Sequence, residues 1–201
     1  MRGDVRQETE TWLSALGDVL AAAAPSVPAI HCAAADPRFQ TPDPVNLQVL
    51  DHLPSLAAGA PPKIRGLIER FAALAPSLAW RQTYGVGQAD AEFLSRYGWA
   101  ELVGSKGILH EPGVSAGLLL LGPDCHYPAH RHPALEYYVP LSGTARWFDT
   151  DLGWRDIPPL QTIVHRSGID HAMRTFAEPL LAYFHWSGAG VSDQARFSSA
   201  D

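Results

Sequence analysis

A chain of 201 residues is long enough for one domain with a sizeable core, or for one domain with a helical appendage. With 46% hydrophobic and 18% charged residues it has the composition of a globular protein, and a net charge of −6 excludes the basic surface that nucleic-acid binding requires. Two distant cysteines, Cys32 and Cys125, favour a reducing compartment over a disulfide framework.

Helix signals dominate the first part of the chain. Apolar residues recur on one face of 1–24, which ends before Pro25, and acidic residues interrupt this stretch too often for a signal peptide. No later segment is apolar enough to cross a membrane, so we expect a cytoplasmic protein. Further helices are predicted at 47–58, 62–74 and 89–97, and an irregular proline-rich stretch at 25–44.

After Gly98 the segments shorten and turn residues become frequent. Strands are predicted at 100–103, 115–121, 136–141, 144–148, 153–157, 161–164, 171–175 and 180–185. Ser142-Gly143, between two of them, is typical of a hairpin. Short strands at this spacing predict a sandwich or a small barrel. We therefore expect a mainly β protein in two parts: an N-terminal α-helical region (1–98) that packs on a barrel, and the barrel itself (99–201) with the functional site.

Polar residues cluster at even-numbered positions around one predicted strand: His130, His132, Glu136 and Tyr138. Successive side chains of a strand point to opposite faces, so these four would share one wall of the barrel. Imidazole and carboxylate suit a divalent transition ion such as Zn, Fe, Mn or Ni. His171, at the start of a late strand, is the best candidate for a further ligand. Pro133 cannot donate to a sheet ladder and favours a bend within this wall.

Other residues fit the surroundings of such a site. Ligating imidazoles usually need an outer hydrogen-bond partner, and His165 and His185 are candidates for that role. Tyr138 lies on the ligand wall and is a candidate general acid or base. Tyr137, of opposite parity, should face away.

The same residues resemble the first motif of the cupin superfamily, in which Gly and His-x-His precede Glu and a second Gly. The matching positions are Gly122, His130, His132, Glu136 and Gly143. The second cupin motif is matched by Gly168 and His171, with Thr175 in place of the usual Asn. This resemblance implies a double-stranded β-helix, the jelly-roll barrel of the cupins, in the C-terminal part.

A narrower resemblance is to the cupin-type dimethylsulfoniopropionate lyases, in which a helical N-terminal part precedes a cupin barrel. It rests on Tyr127-Pro128, on the spacing from His130 to Tyr138, and on 80–84 and 171–174. In that family the metal-binding positions match His130, His132, Glu136 and His171, the general base matches Tyr138, and aromatic positions near the substrate match Tyr127 and Trp186. His130 is the member of the ligand set that the resemblance places nearer to the substrate.

The activity that this resemblance implies is elimination of dimethyl sulfide from dimethylsulfoniopropionate, which leaves acrylate. A divalent cation would stabilise the charge that forms as the α proton leaves, and would favour the phenolate of Tyr138, whose ordinary pKa is about 10. Tyr84 and Trp80 would offer π faces to the sulfonium, or would belong to the core.

Two alternatives to a lyase remain open. One is another metal-dependent cupin enzyme, such as a dioxygenase or an isomerase. The other is a non-catalytic cupin that binds a small ligand. Under the lyase hypothesis the partner is a small zwitterionic substrate, not a nucleic acid or a membrane, and a homodimer is one assembly to test.

Overall fold

The computed structural model describes residues 2–30 and 42–198, with side chains from residue 5 onward. Cys32 and part of the predicted irregular stretch 25–44 lie outside these residues. The described part contains four α-helices, three 3₁₀ helices and ten strands. None of its helices combines the length and the hydropathy that a membrane span requires.

The N-terminal helices contact one another through buried side chains. α1 (Arg2–Ala23) buries Trp12, whose indole N–H donates to the carbonyl of Leu67 at 2.9 Å on α3 (Arg65–Leu74). The rings of Trp12 and Phe71 lie 5.0 Å apart. The remaining helical segments are Gln48–Ser55, α2 (Leu56–Gly59), Pro62–Ile64, Ala75–Ser77 and α4 (Ala91–Ser95). The predicted N-terminal helical region is confirmed.

The strands follow from Tyr97 onward. They are β1 (Tyr97–Gly104), β2 (Val114–Leu121), β3 (His126–Arg131), β4 (Leu135–Ser142), β5 (Ala145–Asp149), β6 (Gly153–Ile157), β7 (Ile163–His165), β8 (His171–Arg174), β9 (Leu180–Ser187) and β10 (Arg196–Phe197). One five-stranded sheet, called here the covered sheet, has the order β1-β2-β9-β4-β7. The second sheet has the order β10-β3-β8-β5-β6. All neighbouring strands are antiparallel, and the predicted mainly β fold, a cupin jelly-roll barrel, is confirmed.

Two strands and one turn differ from the prediction. β3 was not predicted because proline and histidine are not typical of strands. β10 was not predicted because it has only two residues. Ser142-Gly143 does not close a hairpin, since β4 and β5 lie in different sheets. Gly143 has a φ of 78°, and a Cβ there would lie 2.1 Å from the carbonyl oxygen of Pro179. The glycine therefore marks a close backbone approach where the chain changes sheet.

The covered sheet has an apolar layer on each of its faces. On one face, helical residues such as Leu16 and Phe71 form a single cluster with strand residues such as Leu118. The other face meets the second sheet in a cluster that includes Phe184 and Trp147. The candidate site lies on this second side, so α1 and α3 contact the face of the sheet that is remote from it, whereas Phe93 of α4 packs on the site side against Tyr127. A domain boundary at residue 98 remains a prediction.

Candidate active site

Buried polar side chains from both sheets meet inside the barrel. His130 on β3 is the register partner of His171 on β8, in the second sheet. Glu136 on β4 is the register partner of His165 on β7, in the covered sheet. His132 lies in the connection between β3 and β4. All five side chains are almost fully buried.

His130, His132, Glu136 and Tyr138 do not share one wall, so that prediction is wrong, although these side chains do converge. β3 ends at Arg131 and β4 begins at Leu135, so His130 and Glu136 belong to different sheets. Pro133 lies in the break, where it removes a ladder donor. The chain crosses from one sheet to the facing sheet, and this crossing brings the two ends of the motif together.

Glu136 is the centre of the group. Its Oε2 lies 3.0 Å from His132 Nε2, 3.3 Å from His171 Nε2 and 3.3 Å from His165 Nδ1. Its Oε1 accepts the indole N–H of Trp186. His132, Glu136 and His171 each offer a ligand atom, and these atoms lie within 4.8 Å of one another. His130 is outside this three-residue cluster, although its ring lies 4.2 Å from that of His171.

Backbone carbonyls determine which ring nitrogen faces the cluster. The contacts are His130 Nδ1 to Pro128 O at 2.9 Å, His132 Nδ1 to Ala134 O at 3.1 Å, and His171 Nδ1 to Ile169 O at 3.0 Å. Because a carbonyl oxygen only accepts, each Nδ1 carries a proton, and each neutral ring presents Nε2 as a lone-pair donor.

The donor set fits a divalent transition ion. His171 Nε2 is buried and makes no hydrogen bond with any residue of the described ranges. A buried polar atom without a partner is unfavourable unless a ligand occupies its lone pair. Two imidazoles and a carboxylate, with backbone carbonyls holding the far side of both rings, form a suitable metal-binding set. His165 contacts Glu136 rather than a ligating imidazole, so its role as an outer partner stays a prediction. His185, the other candidate, lies on the opposite face of β9 beside Tyr183.

Burial and charge set the protonation of the group. Burial alone would raise the pKa of Glu136, but the surrounding imidazoles, His132 above all and then His165 and His171, hold that pKa well below its ordinary range. Burial, and then the neighbouring His171, lowers the pKa of His130 well below its usual value and that of His165 to about 4. At neutral pH Glu136 is therefore a carboxylate, and His130 and His165 are neutral.

A cavity of about 470 Å³ lies beside the cluster. His130, Tyr138 and Trp186 line it, and Trp186 also stacks on His132 with ring centroids 3.9 Å apart. Tyr138 is 5% exposed. Burial raises the pKa of Tyr138 well above its ordinary value, and the charge of Glu136 and a hydrogen bond with it act in the same direction. The cavity thus ends on side chains that contact the candidate metal ligands.

The aromatic residues predicted to contact the substrate differ in whether they line the cavity. Tyr127 lines the cavity and stacks on His130, with ring centroids 4.0 Å apart and planes at 7°. Trp80 borders the cavity, but its indole N–H donates to Ala75 O at 2.9 Å within the helix-side cluster. Tyr84 stacks on Phe197 at 3.8 Å and does not line the cavity.

Three further lining residues come from β1: Tyr97, Trp99 and Glu101. They alternate along the strand, so all three side chains point to the barrel interior. The sequence shows this pattern, because the three residues occupy every second position. It was overlooked because the strand was predicted to begin at residue 100, after two of the three.

Comparison with known proteins identifies the family. A family model described as dimethylsulfoniopropionate lyase matches residues 29–182. The chain belongs to the dimethylsulfoniopropionate lyase family. Within this family it is similar to the dimethylsulfoniopropionate lyase DddQ of Ruegeria pomeroyi, with 30% identity over 167 residues that cover 80% of this chain and 82% of DddQ.

Solved structures of dimethylsulfoniopropionate lyases share the whole fold. A structure from work on the lyases RdDddP and RnDddQII has a TM-score of 0.86 at 30% identity, covering 97% of this chain and 100% of the other. The crystal structure of DddQ from Ruegeria pomeroyi has a TM-score of 0.79 at 25% identity, covering 96% of each chain. The predicted resemblance is confirmed, and the enzyme class of the dimethylsulfoniopropionate lyase family is that of carbon–sulfur lyases.

Proposed function

We propose that this protein cleaves dimethylsulfoniopropionate to dimethyl sulfide and acrylate by a β-elimination that depends on a divalent metal ion. The observation that carries the proposal is the buried cluster of His132, Glu136 and His171 beside Tyr138, at the end of an aromatic cavity. The cluster occurs in a chain of the dimethylsulfoniopropionate lyase family, and this membership supports the substrate, which is the one named for the relative DddQ.

His132, Glu136 and His171 would hold the metal ion, with His130 as the proposed fourth ligand. Zn, Fe, Mn and Ni all accept imidazole and carboxylate donors, so this donor set does not select among them. When bound, the ion would supply a Lewis acid that stabilises negative charge on the substrate carboxylate during α-proton loss. The carbonyls of Ala134 and Ile169 keep the two ligating rings in the required tautomer and orientation.

Tyr138 is the proposed general base. It lines the cavity and neighbours Glu136, so its oxygen lies beside the position of a carboxylate bound at the cluster. Burial and Glu136 favour the neutral phenol, and a divalent ion bound at the cluster would favour the phenolate of Tyr138 instead. In this phenolate form the Tyr138 oxygen accepts the α proton, and the electrons of the C–H bond form the α–β double bond. The C–S bond breaks with its electron pair on sulfur, which releases neutral dimethyl sulfide and leaves acrylate.

Tyr127 and Trp186 are the proposed aromatic contacts of the substrate. Both line the cavity and both stack on histidines of the site, which holds their rings in fixed orientations. An aromatic face attracts a cation at short range, and the sulfonium of the substrate is such a cation. A neutral thioether product loses this attraction, which favours its release.

The test is detection of dimethyl sulfide in the headspace above purified, metal-loaded protein given dimethylsulfoniopropionate. We expect dimethyl sulfide and acrylate in equal amounts, and no release after chelation. Consumption of dioxygen without dimethyl sulfide would favour a different cupin enzyme. Binding of the substrate with no product at all would favour a cupin that only binds a small ligand.

A further inference from the structure

Glu101 is a buried acidic side chain in the cavity wall that the proposed mechanism does not use. It is 8% exposed and lies on β1. Its Oε1 accepts the backbone N–H of Lys106 at 2.6 Å, and its Oε2 accepts the hydroxyl of Ser115 at 2.6 Å. No Lys, Arg or His of the residues described here forms an ion pair with it. Buried carboxylates usually have a cationic partner, whereas Glu101 has two hydrogen bonds and no ion pair. Arg81 and Lys106 also line the cavity, but neither forms an ion pair with Glu101.

The register of the covered sheet places Glu101 on the same interior face as Tyr138. Glu101 is opposite Gly117, Gly117 is opposite Phe184, and Phe184 is opposite Tyr138. Neighbouring strands lie about 4.8 Å apart, so the two Cα atoms are separated by roughly 14 Å. Gly117 has no side chain, which leaves Phe184 as the side chain between them in this row.

The cavity connects these two positions. It is lined by Tyr138 and Trp186 next to the metal-ligand cluster, and by Trp99 and Glu101 toward its other side. The hydroxyl of Ser115 draws the Glu101 carboxylate toward the strand position opposite Trp186. One region of the cavity therefore borders the proposed cation-binding cluster, and another presents a carboxylate and aromatic rings.

We propose that Glu101 is a specificity-determining residue that recognises the positively charged end of the substrate. This inference rests on the proposed function, in which the substrate carboxylate lies at the His132, Glu136 and His171 cluster. A zwitterion bound there directs its onium group along the cavity toward Trp99, Phe184 and Glu101. The onium charge attracts the unpaired Glu101 carboxylate, whereas a carboxylate ligand of the same shape without a cationic group lacks this attraction. The cavity thus selects carboxylates that carry a cationic group three bonds away.

Glu101 also braces the turn after β1, because its Oε1 accepts the N–H of Lys106. A purely structural role would make its loss equally harmful to every ligand. Glu101→Gln separates the two roles, since the amide keeps the shape and an acceptor oxygen for Lys106 and removes the negative charge.

The experiment measures binding of two matched ligands to metal-loaded protein by titration calorimetry. The first is 3-(trimethylammonio)propionate, whose quaternary ammonium is a poor leaving group. The second is 4,4-dimethylpentanoate, which has the same shape with carbon in place of nitrogen and carries no positive charge. We expect the wild type to bind the first more tightly, and Glu101→Gln to weaken the first by about tenfold while changing the second by less than about twofold.

Several results would overturn the inference. Equal loss for both ligands in Glu101→Gln would show a structural brace, and unchanged binding of both would show that Glu101 does not sense the cation. Equal affinity of the wild type for the two ligands would refute charge selection without any variant. Asp193→Asn is the control, because Asp193 borders the same cavity but is exposed to solvent. An equal effect there would assign the selectivity to general charge at the cavity mouth.

The proposed function is tested separately by release of dimethyl sulfide from the wild type. Charge-selective, Glu101-dependent binding without release would contradict the lyase function and leave the onium-recognising role in place. Release with no charge selectivity would do the reverse.

Discussion

At the scale of single residues, the metal site depends on which histidines touch the cluster. His132 and His171 present Nε2 to Glu136, whereas His130 lies outside the three-residue cluster. We expect about one ion per chain in the wild type, from the chemistry of such sites, and loss of that ion in His132→Ala and His171→Ala. His130→Ala should lower metal affinity less than either. Elemental analysis after gel filtration measures this, and full occupancy in His132→Ala would refute the assignment.

Substitution of His165 should weaken metal binding partially rather than abolish it. It contacts Glu136 Oε2 through Nδ1 at 3.3 Å and is outside the three-residue cluster. Loss of an outer hydrogen-bond partner typically lowers metal affinity by about 10- to 100-fold without abolishing binding. We expect His165→Ala to fall within this range in a competition titration with a chelator. Complete loss of the metal would instead make His165 a direct ligand.

The proposed role of Tyr138 as the base is tested by comparing its substitution with that of the adjacent Tyr137. Tyr138 lines the cavity, while Tyr137 points to the other face of β4 and packs against the helix-side cluster. If Tyr138 is the base, Tyr138→Phe should lower kcat by about 100-fold or more at unchanged metal content. Tyr137→Phe should retain nearly the wild-type kcat. Equal rates of dimethyl sulfide release in the two variants would remove Tyr138 from the mechanism.

At the scale of elements, the sequence predicted the members of the site better than the path of the chain between them. Residue types and spacing selected the four ligand candidates, and Pro133 was recognised as a bend. The crossing from one sheet to the other was missed, because alternation within one strand cannot show where a strand ends. The carbonyls that orient His132 and His171 could not be predicted either. Every residue has a carbonyl, and only the fold determines which of them point toward the site.

The strand β9 shows how alternation separates the site from the helix-side layer. Phe184 and Trp186 line the cavity, whereas Tyr183 and His185 face the opposite layer, where Tyr183 lies 3.2 Å from His185 Nδ1 and the Tyr137 ring lies nearby. Burial lowers the pKa of His185 from 6.5 to about 4. The unfolded chain therefore takes up this proton near pH 6.5, whereas the folded protein resists it until about pH 4.

This difference makes His185 a source of acid sensitivity. Its contribution to stability is complete above pH 6.5 and is lost as the pH falls toward 4, by up to about 3 kcal/mol. We expect His185→Gln to flatten the fall in unfolding free energy between these pH values, with metal content and dimethyl sulfide release unchanged. Urea unfolding at several pH values measures the slope. An identical slope in the two proteins would contradict the buried neutral imidazole.

At the scale of the whole molecule, the question is whether the helices and the barrel are separate units. The sequence predicted both parts from the change in pattern near residue 98, but pattern alone does not show how much core they share. In the structure, residues of α1 and α3 belong to one apolar cluster with the outer face of the covered sheet. That face would otherwise be exposed to water. The helices therefore supply the layer that buries the outer face of the covered sheet.

Trp12→Ala tests this dependence. Trp12 is 3% exposed, contacts Phe71 and donates to Leu67 O on α3. Its removal leaves a cavity and breaks the side-chain hydrogen bond between α1 and α3, and should lower the free energy of unfolding by about 3–5 kcal/mol. Val86→Ala is the control, because Val86 is 98% exposed and its substitution should change stability by no more than about 0.5 kcal/mol.

The shared cluster also predicts that the helices and the barrel unfold together. As urea is added, the helical signal in circular dichroism and the release of dimethyl sulfide should be lost at the same urea concentration. Loss of helical signal while release persists would mean that the barrel is stable without its helical layer.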